Sequence, residues 1–313
     1  MAISLFYILI FPGVMFLMLT GLAMEFVDRK LYARLQNRIG PPWFQPLADF
    51  IKLAAKESLV PDEANAKMFR TMPIFAFTAA ATAIFYIPMW GHRALFSFSG
   101  DLIVVIYLLT IPTLTFFLGG WYSASLYSMI GAVRCLTQLF AYEVPLFMAI
   151  LSPALLAGTW SLSEMALFYH QHPLYALFNL LGFAVAIVAL LGKLEKVPFD
   201  IPDAETEIVG GTFTEYSGRL LAMFRIAIDI EMVVGASLLA AVFMPFGLGL
   251  HPALGFVLYL IKIVAVIAVL SLARTIFARL RIEQMMEFCW QYVAPAALVQ
   301  LAIILLVMWW RVA

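Results

Sequence analysis

The chain has 313 residues, 64% of them hydrophobic and only 12% charged. A soluble domain carries about twice that charge, so the composition excludes a soluble globule. Lysine plus arginine and aspartate plus glutamate balance at 19 each; this neutrality says nothing about partners, and no nucleic-acid partner is expected.

A helix of about 20 apolar residues crosses the roughly 30 Å of bilayer hydrocarbon. Backbone polar groups must be satisfied internally there, so only helices or a closed barrel can span. The apolar runs are continuous rather than alternating, which predicts helices. The fold class expected is an all-α integral membrane protein with about eight transmembrane helices. The predicted spans are 3–25, 71–91, 102–123, 138–160, 174–194, 220–246, 253–274 and 290–310. The first opens at Met1 with no basic n-region and no small-residue cleavage pattern, so it reads as a retained span. No internal repeat is visible, which weighs against an inverted-repeat transporter. Residues 1–313 read as a single membrane domain, with substantial loops at 29–70 and 195–219.

Sixteen of the nineteen basic residues fall after spans one, three, five and seven, Arg134 and Lys193 among them. The positive-inside rule then places those loops in the cytoplasm and both termini outside a cell membrane. All four histidines, His92, His170, His172 and His251, fall in outer loops. In the first cytoplasmic loop, "PLADFIKLAAKES" predicts an amphipathic surface helix. Pro46 suits its first turn; Leu47, Phe50, Ile51 and Ala54 share one face, and Asp49, Lys52 and Lys56 face elsewhere.

Ionisable groups inside spans are costly and mark functional candidates. Glu25 and Asp28 end span one, Glu143 opens span four, Glu195 closes span five, Asp229 and Glu231 lie in span six, and Lys262 lies in span seven. One reading has Asp229 or Glu231 pairing with Lys262 to lock two helices. Glu143 has no cation close in sequence except Arg134, in the preceding loop. Buried carboxylates on several helices also suit a proton relay.

The segment "VPFDIPDAETEIVGGTFTEYSG", residues 197–218, holds Asp200, Asp203, Glu205, Glu207 and Glu215 with no basic residue before Arg219. Apolar and rigid residues interleave with the acids, and Gly210, Gly211 and Gly218 permit special backbone angles. The pattern predicts a packed, folded loop rather than a solvated acidic tail, serving as a cation funnel or a docking surface.

This segment resembles the loop by which one membrane component of respiratory complex I, the H/1 family of anchor subunits, holds the peripheral arm. That family includes the anchor subunits of membrane-bound group 4 [NiFe] hydrogenases and of sulfane reductases. Asp203 stands for the usual Glu. "DRKLYARLQNRIGPP", residues 28–42, is similar to the family's first basic motif, with Asp28 for Glu and Pro42 where complex I has Asn. "LARTIFARLRIEQMMEFCWQYVAPAAL", residues 272–298, is similar to its second, with Glu283 for Asp and Gln291 for Lys.

The resemblance implies that this chain docks a peripheral arm of Fe–S and catalytic large and small subunits, beside antiporter-like membrane subunits. It implies that Asp200, Asp203, Glu205, Glu207 and Glu215 form an acidic funnel. Glu143, Glu195, Asp229, Glu231 and Lys262 would continue an ion path into the membrane. Arg29, Arg34, Gln36, Arg38, Arg274, Arg279 and Arg281 would hold the docked arm or shape the entrance. The chain itself is expected to bind no metal or cofactor. Haem needs axial ligands in the bundle and Fe–S clusters need sets of thiolates, whereas the only cysteines, Cys135 and Cys289, are far apart.

Pro42, Gln291 and the short "IGPPWFQPLADFIKLAAKES" stretch depart from complex I. They point to a ferredoxin-driven hydrogenase-type or sulfane-reductase-type complex, with the hydrogenase preferred, over one that reduces quinone. The partner subunits would then carry Fe–S clusters and NiFe. Two readings of other classes are a stand-alone secondary ion transporter and a purely structural anchor.

Overall fold

The computed structural model describes residues 2–91 and 93–312, without the side chains of residues 2–4, 205, 206, 311 and 312. His92 and the Glu205 side chain therefore lie outside the described residues. Among those described, eight helical stretches are long and apolar enough to cross a membrane, and the secondary structure is helical throughout.

The helices are α1 (Ala2–Leu9), α2 (Val14–Leu35), α3 (Gln45–Ala55), α4 (Ala66–Ala83), α5 (Asp101–Trp121), α6 (Leu126–Ala157), α7 (Leu162–Gln171), α8 (Leu180–Lys193), α9 (Glu205–Ile208), α10 (Gly218–Phe243), α11 (Pro252–Ile276), α12 (Ile282–Phe288) and α13 (Ala294–Val312). A π turn at Cys289–Val293 joins α12 to α13. Helix α10 is the most buried of the spans. It packs against α2, α3, α4 and α11, and Gly21 lets α2 approach its backbone at Asp229.

Three expectations are corrected. The fourth span starts at Leu126 rather than 138, so Arg134 lies within α6 and not in a loop. Polar Arg134, Thr137 and Gln138 dilute the hydropathy there, but they sit on a continuous helix. The first span runs on past residue 25, because the charged stretch to Leu35 continues helix α2. Helix α7, between the fourth and fifth spans, was not expected; it is short and only partly apolar.

The acidic segment is packed, as its interleaved apolar residues predict. Phe213 and Tyr216 are buried beside Phe69 of α4, Phe116 of α5 and Phe224 of α10. The Phe69 and Tyr216 rings stack with centroids 3.9 Å apart, and the Tyr216 hydroxyl donates to the Phe69 carbonyl. Burial pushes that phenol's pKa up. On the other side, Gly131 of α6 meets the backbone of Gly211 and Thr212 so closely that a Cβ there would lie 2.6 Å from both. Gly211 itself has φ +53°, and the Pro202 carbonyl fills the place of its Cβ.

Candidate functional site: a charged chamber at one end of the bundle

Helix α8 ends at Lys193, and Glu195 follows with φ +50°, a left-handed conformation uncommon outside glycine. The Gln138 amide of α6 then clamps the chain, donating to the Gly192 carbonyl at 2.7 Å and the Phe199 carbonyl at 2.8 Å. The Leu280 amide beyond α11 donates to the Pro198 carbonyl. The far end of the loop is tied to the segment after α3: Leu59 N–H donates to the Ser217 hydroxyl and Arg219 N–H to the Ser58 hydroxyl, each at 3.0 Å.

These ties place the loop over a cavity of about 470 Å³ between α2, α3, α8, α10 and α11. Its lining holds seven carboxylates (Glu25, Asp49, Glu195, Asp200, Asp203, Asp229, Glu231) and seven cations (Arg29, Lys52, Lys56, Lys193, Lys196, Arg225, Arg274). Opposite charges therefore balance within one small volume. Apolar walls from Leu22, Phe50, Leu53, Phe116 and Ile228 surround them.

At the mouth, Arg29 bonds Glu25 at 2.6 Å and Asp49 at 3.0 Å. Arg29 and Asp49 are both 41% exposed in their side chains. At the floor, Lys193 pairs with Glu231 at 2.8 Å, with 3% and 1% exposed. Lys193 also donates to the Leu109 carbonyl, in the turn of α5 before Pro112. Between mouth and floor, buried Asp28 accepts from Lys196 at 2.6 Å, Ser271 at 2.6 Å and Arg274 at 3.1 Å. The Arg274 guanidinium also lies over the Tyr32 ring. Asp200 pairs with Arg279 at 3.3 Å and Asp203 with Arg225 at 3.9 Å.

Glu195 accepts from the buried Cys135 thiol at 3.1 Å. Burial drives its carboxyl up to about 8, the charges of Asp203 and Glu231 push the same way, and the thiol bond and Arg225 oppose them. A carboxyl so placed holds its proton at neutral pH.

The chamber unites Glu195, Asp200, Asp203, Asp229, Glu231, Arg29 and Arg274 of the expected site residues. Glu143 lies next door, bonded by Thr110 at 2.6 Å, in a void of about 20 Å³ that it shares with Tyr142 and Lys193. Glu207 is outside, on the surface, paired with Arg134 at 2.6 Å; that hydrogen bond holds its carboxyl below the usual range. Glu215 is half-buried and Gln36 likewise, while Arg34, Arg38 and Arg281 are exposed. Lys262 is not near the acids. It donates to the Phe246 carbonyl at 2.5 Å, in the loop at the opposite end of the bundle. The pairing of Glu231 with Lys262 is thus replaced by a pairing with Lys193.

Helix α3 forms where expected, with Pro46 in its first turn. Its orientation differs: Asp49, Lys52 and Lys56 face the chamber beside Phe50 and Leu53, where partners of opposite charge receive them. Trp43, Leu47 and Ile51, spaced four apart, form an exposed apolar stripe with 75%, 43% and 57% exposure. The sequence reading missed Asp28, Lys193 and Lys196 as site residues. The acidic Glu25 and Asp28 at the end of a span, spaced to share a helix face, were the available signal.

A family model described as NADH dehydrogenase matches residues 7–305. The chain belongs to this family. Among its relatives, a membrane protein of Carboxydothermus hydrogenoformans, the H component of its NADH-quinone oxidoreductase, is 30% identical over 299 residues, covering 92% of this chain and 85% of that protein. The corresponding component from Bacillus cytotoxicus is 33% identical over 285 residues, covering 87% and 84%. Among solved structures, a chain of the membrane-bound sulfane sulfur reductase, an archaeal respiratory membrane complex, overlays with a TM-score of 0.84 at 29% identity, covering 93% of this chain and 96% of that one. As a member of the NADH dehydrogenase family, the chain is a multi-pass membrane subunit of a multisubunit redox complex, and the charged chamber is its distinctive internal feature.

Proposed function

We propose that this chain is the membrane anchor of a ferredoxin-driven complex. It docks an arm of Fe–S and catalytic subunits over the chamber and couples electron transfer in that arm to translocation of protons or sodium. The terminal acceptor is protons, giving H₂, or sulfane sulfur. The electron carriers, Fe–S clusters and NiFe where H₂ is made, reside in the partner subunits. Antiporter-like membrane subunits receive the coupling, and the chamber end faces the cytoplasm with both termini outside.

The observation that carries this reading is the cavity of about 470 Å³ in which seven carboxylates face seven cations. Such a set responds to a charge arriving nearby by shifting protons, because each group's pKa depends on its neighbours. The overlay on the sulfane sulfur reductase chain and the departures at Pro42 and Gln291 support a ferredoxin-type complex. Quinone reduction is the second reading. The relatives' name, NADH-quinone oxidoreductase, and a cavity of small-molecule size with apolar walls favour it.

The test is to purify the intact complex from its native membrane through a tag on this chain, then measure metals and acceptors. Nickel with H₂ evolution from reduced ferredoxin assigns the hydrogenase. Iron without nickel and consumption of sulfane sulfur assigns the reductase. Consumption of quinone alone overturns the first reading.

A further inference from the structure

Three voids are strung along α10. The chamber takes Asp229 and Glu231, the next void Gly235, Leu238 and Leu239, and the last Ser237, Ala240 and Met244. From Glu231 to Met244 the helix rises about 20 Å, so the series reaches most of the way to the far end. The last void, about 10 Å³, holds at most about one water. The Ser237 and Tyr259 hydroxyls bond across the neighbouring helices at 3.0 Å. A chain of this kind can pass protons unless something closes it.

Lys262 stands at that closing point. It lines the last void and is only 6% exposed. Its ammonium bonds the Phe246 carbonyl and lies 4.4 Å from the Phe246 ring centroid. Among the described residues no carboxylate pairs with it, whereas Lys193 at the chamber floor is matched by Glu231. An uncompensated cation in a low-dielectric passage repels other cations strongly, and pores use such charges to exclude protons and metal cations.

We infer that Lys262 is an electrostatic seal: its fixed charge stops protons and sodium from crossing between the chamber and the far face through this chain. The inference rests on the proposed function only in taking the chamber as a place those cations reach. Ions admitted there must then leave sideways, past Glu143, rather than straight through.

The test uses the intact complex in liposomes with no electron donor, so it is independent of which acceptor the complex serves. Passive proton and sodium leaks are read with internal dyes under an imposed gradient, and chloride leak is read in parallel. Lys262→Gln keeps a donor for the Phe246 carbonyl but removes the charge; its cation leak should rise about tenfold or more with chloride unchanged. Lys262→Arg should stay as tight as the parent. A tight Gln variant would show that Lys262 only ties down the loop, and equal leakage of cations and chloride would show a loosened bundle; either overturns the inference, as does an Arg variant that leaks like Gln. Should the Gln variant not assemble, Lys262→Met, which is easily buried, carries the same expectation and the same refutation.

Discussion

Lys193, the last residue of α8, reaches Glu231 in the middle of α10 at 2.8 Å, and both side chains are almost wholly shut off from solvent. Removing one member of such a pair leaves an uncompensated buried charge, which costs about 3–5 kcal/mol, whereas replacing both by apolar residues is often close to neutral. Lys193→Met and Glu231→Gln should therefore each lower the melting temperature of the purified complex strongly, and Lys193→Met with Glu231→Leu should recover most of the loss. Equal losses in the single and double variants would refute the pairing.

Asp28 gathers Lys196, Ser271 and Arg274, so it joins α2 to α11 and to the chain after α8. Asp28→Asn leaves two cations facing each other and is expected to cost about 3 kcal/mol. Ser271→Ala removes one hydrogen bond and should cost about 1 kcal/mol. Thermal unfolding of the two variants side by side checks the ranking, and a Ser271 effect as large as that of Asp28 would contradict it.

The carboxyl of Glu195 is raised, to about 8, against an ordinary value near 4.3. The folded chain thus binds a proton that the unfolded chain has lost. The stabilisation from this proton is complete below about pH 4, and it is lost as pH climbs through about 8. Glu195→Gln cannot ionise, so its melting temperature relative to the parent should improve steadily from pH 5 to pH 8 and then level off. A difference that is flat with pH would show that Glu195 is ionised throughout.

Gly131→Ala drives a methyl group into the backbone of Gly211 and Thr212. Overpacking against an unyielding backbone costs about 1–3 kcal/mol. The acidic loop should shift, seen as faster hydrogen exchange in residues 205–216 and loss of the peripheral subunits on purification. Unchanged exchange would mean that α6 simply moves aside.

Glu207 and Arg134 pair at the surface, with 51% and 23% of their side chains exposed. Exposed pairs contribute little to stability, so Glu207→Gln should melt like the parent. Its effect should be confined to retention of the partner subunits, and should fade as salt is raised. A clear drop in melting temperature would count against this.

The spans and the packed nature of the acidic loop were legible because both depend on local composition. The start of α6 was not, since hydropathy cannot distinguish a polar loop from a helix whose Arg134 and Gln138 find partners inside the fold. Glu195, Asp229 and Glu231 were identifiable as carboxylates near or in the bilayer, but their partners were not. Lys193 stood at the edge of a span and read as a loop cation, while Lys262, well inside one, drew the pairing that Lys193 makes. Hydropathy gives depth along the membrane normal; which helices are neighbours comes from contacts far apart in the chain. For α3 the apolar face was found but its direction was reversed in part, because the charged chamber that receives Asp49, Lys52 and Lys56 exists only in the assembled bundle.

The equal count of opposite charges around the chamber also limits how this lineage can drift. A lone substitution that adds or deletes a charge leaves the remaining thirteen out of balance in a confined volume, so it must be accompanied by a second of opposite sign or be purged. Changes at Asp200 and Arg279, or at Asp203 and Arg225, should therefore travel together among homologues, and an ancestor would cross between such states through neutral amides rather than through a reversed charge.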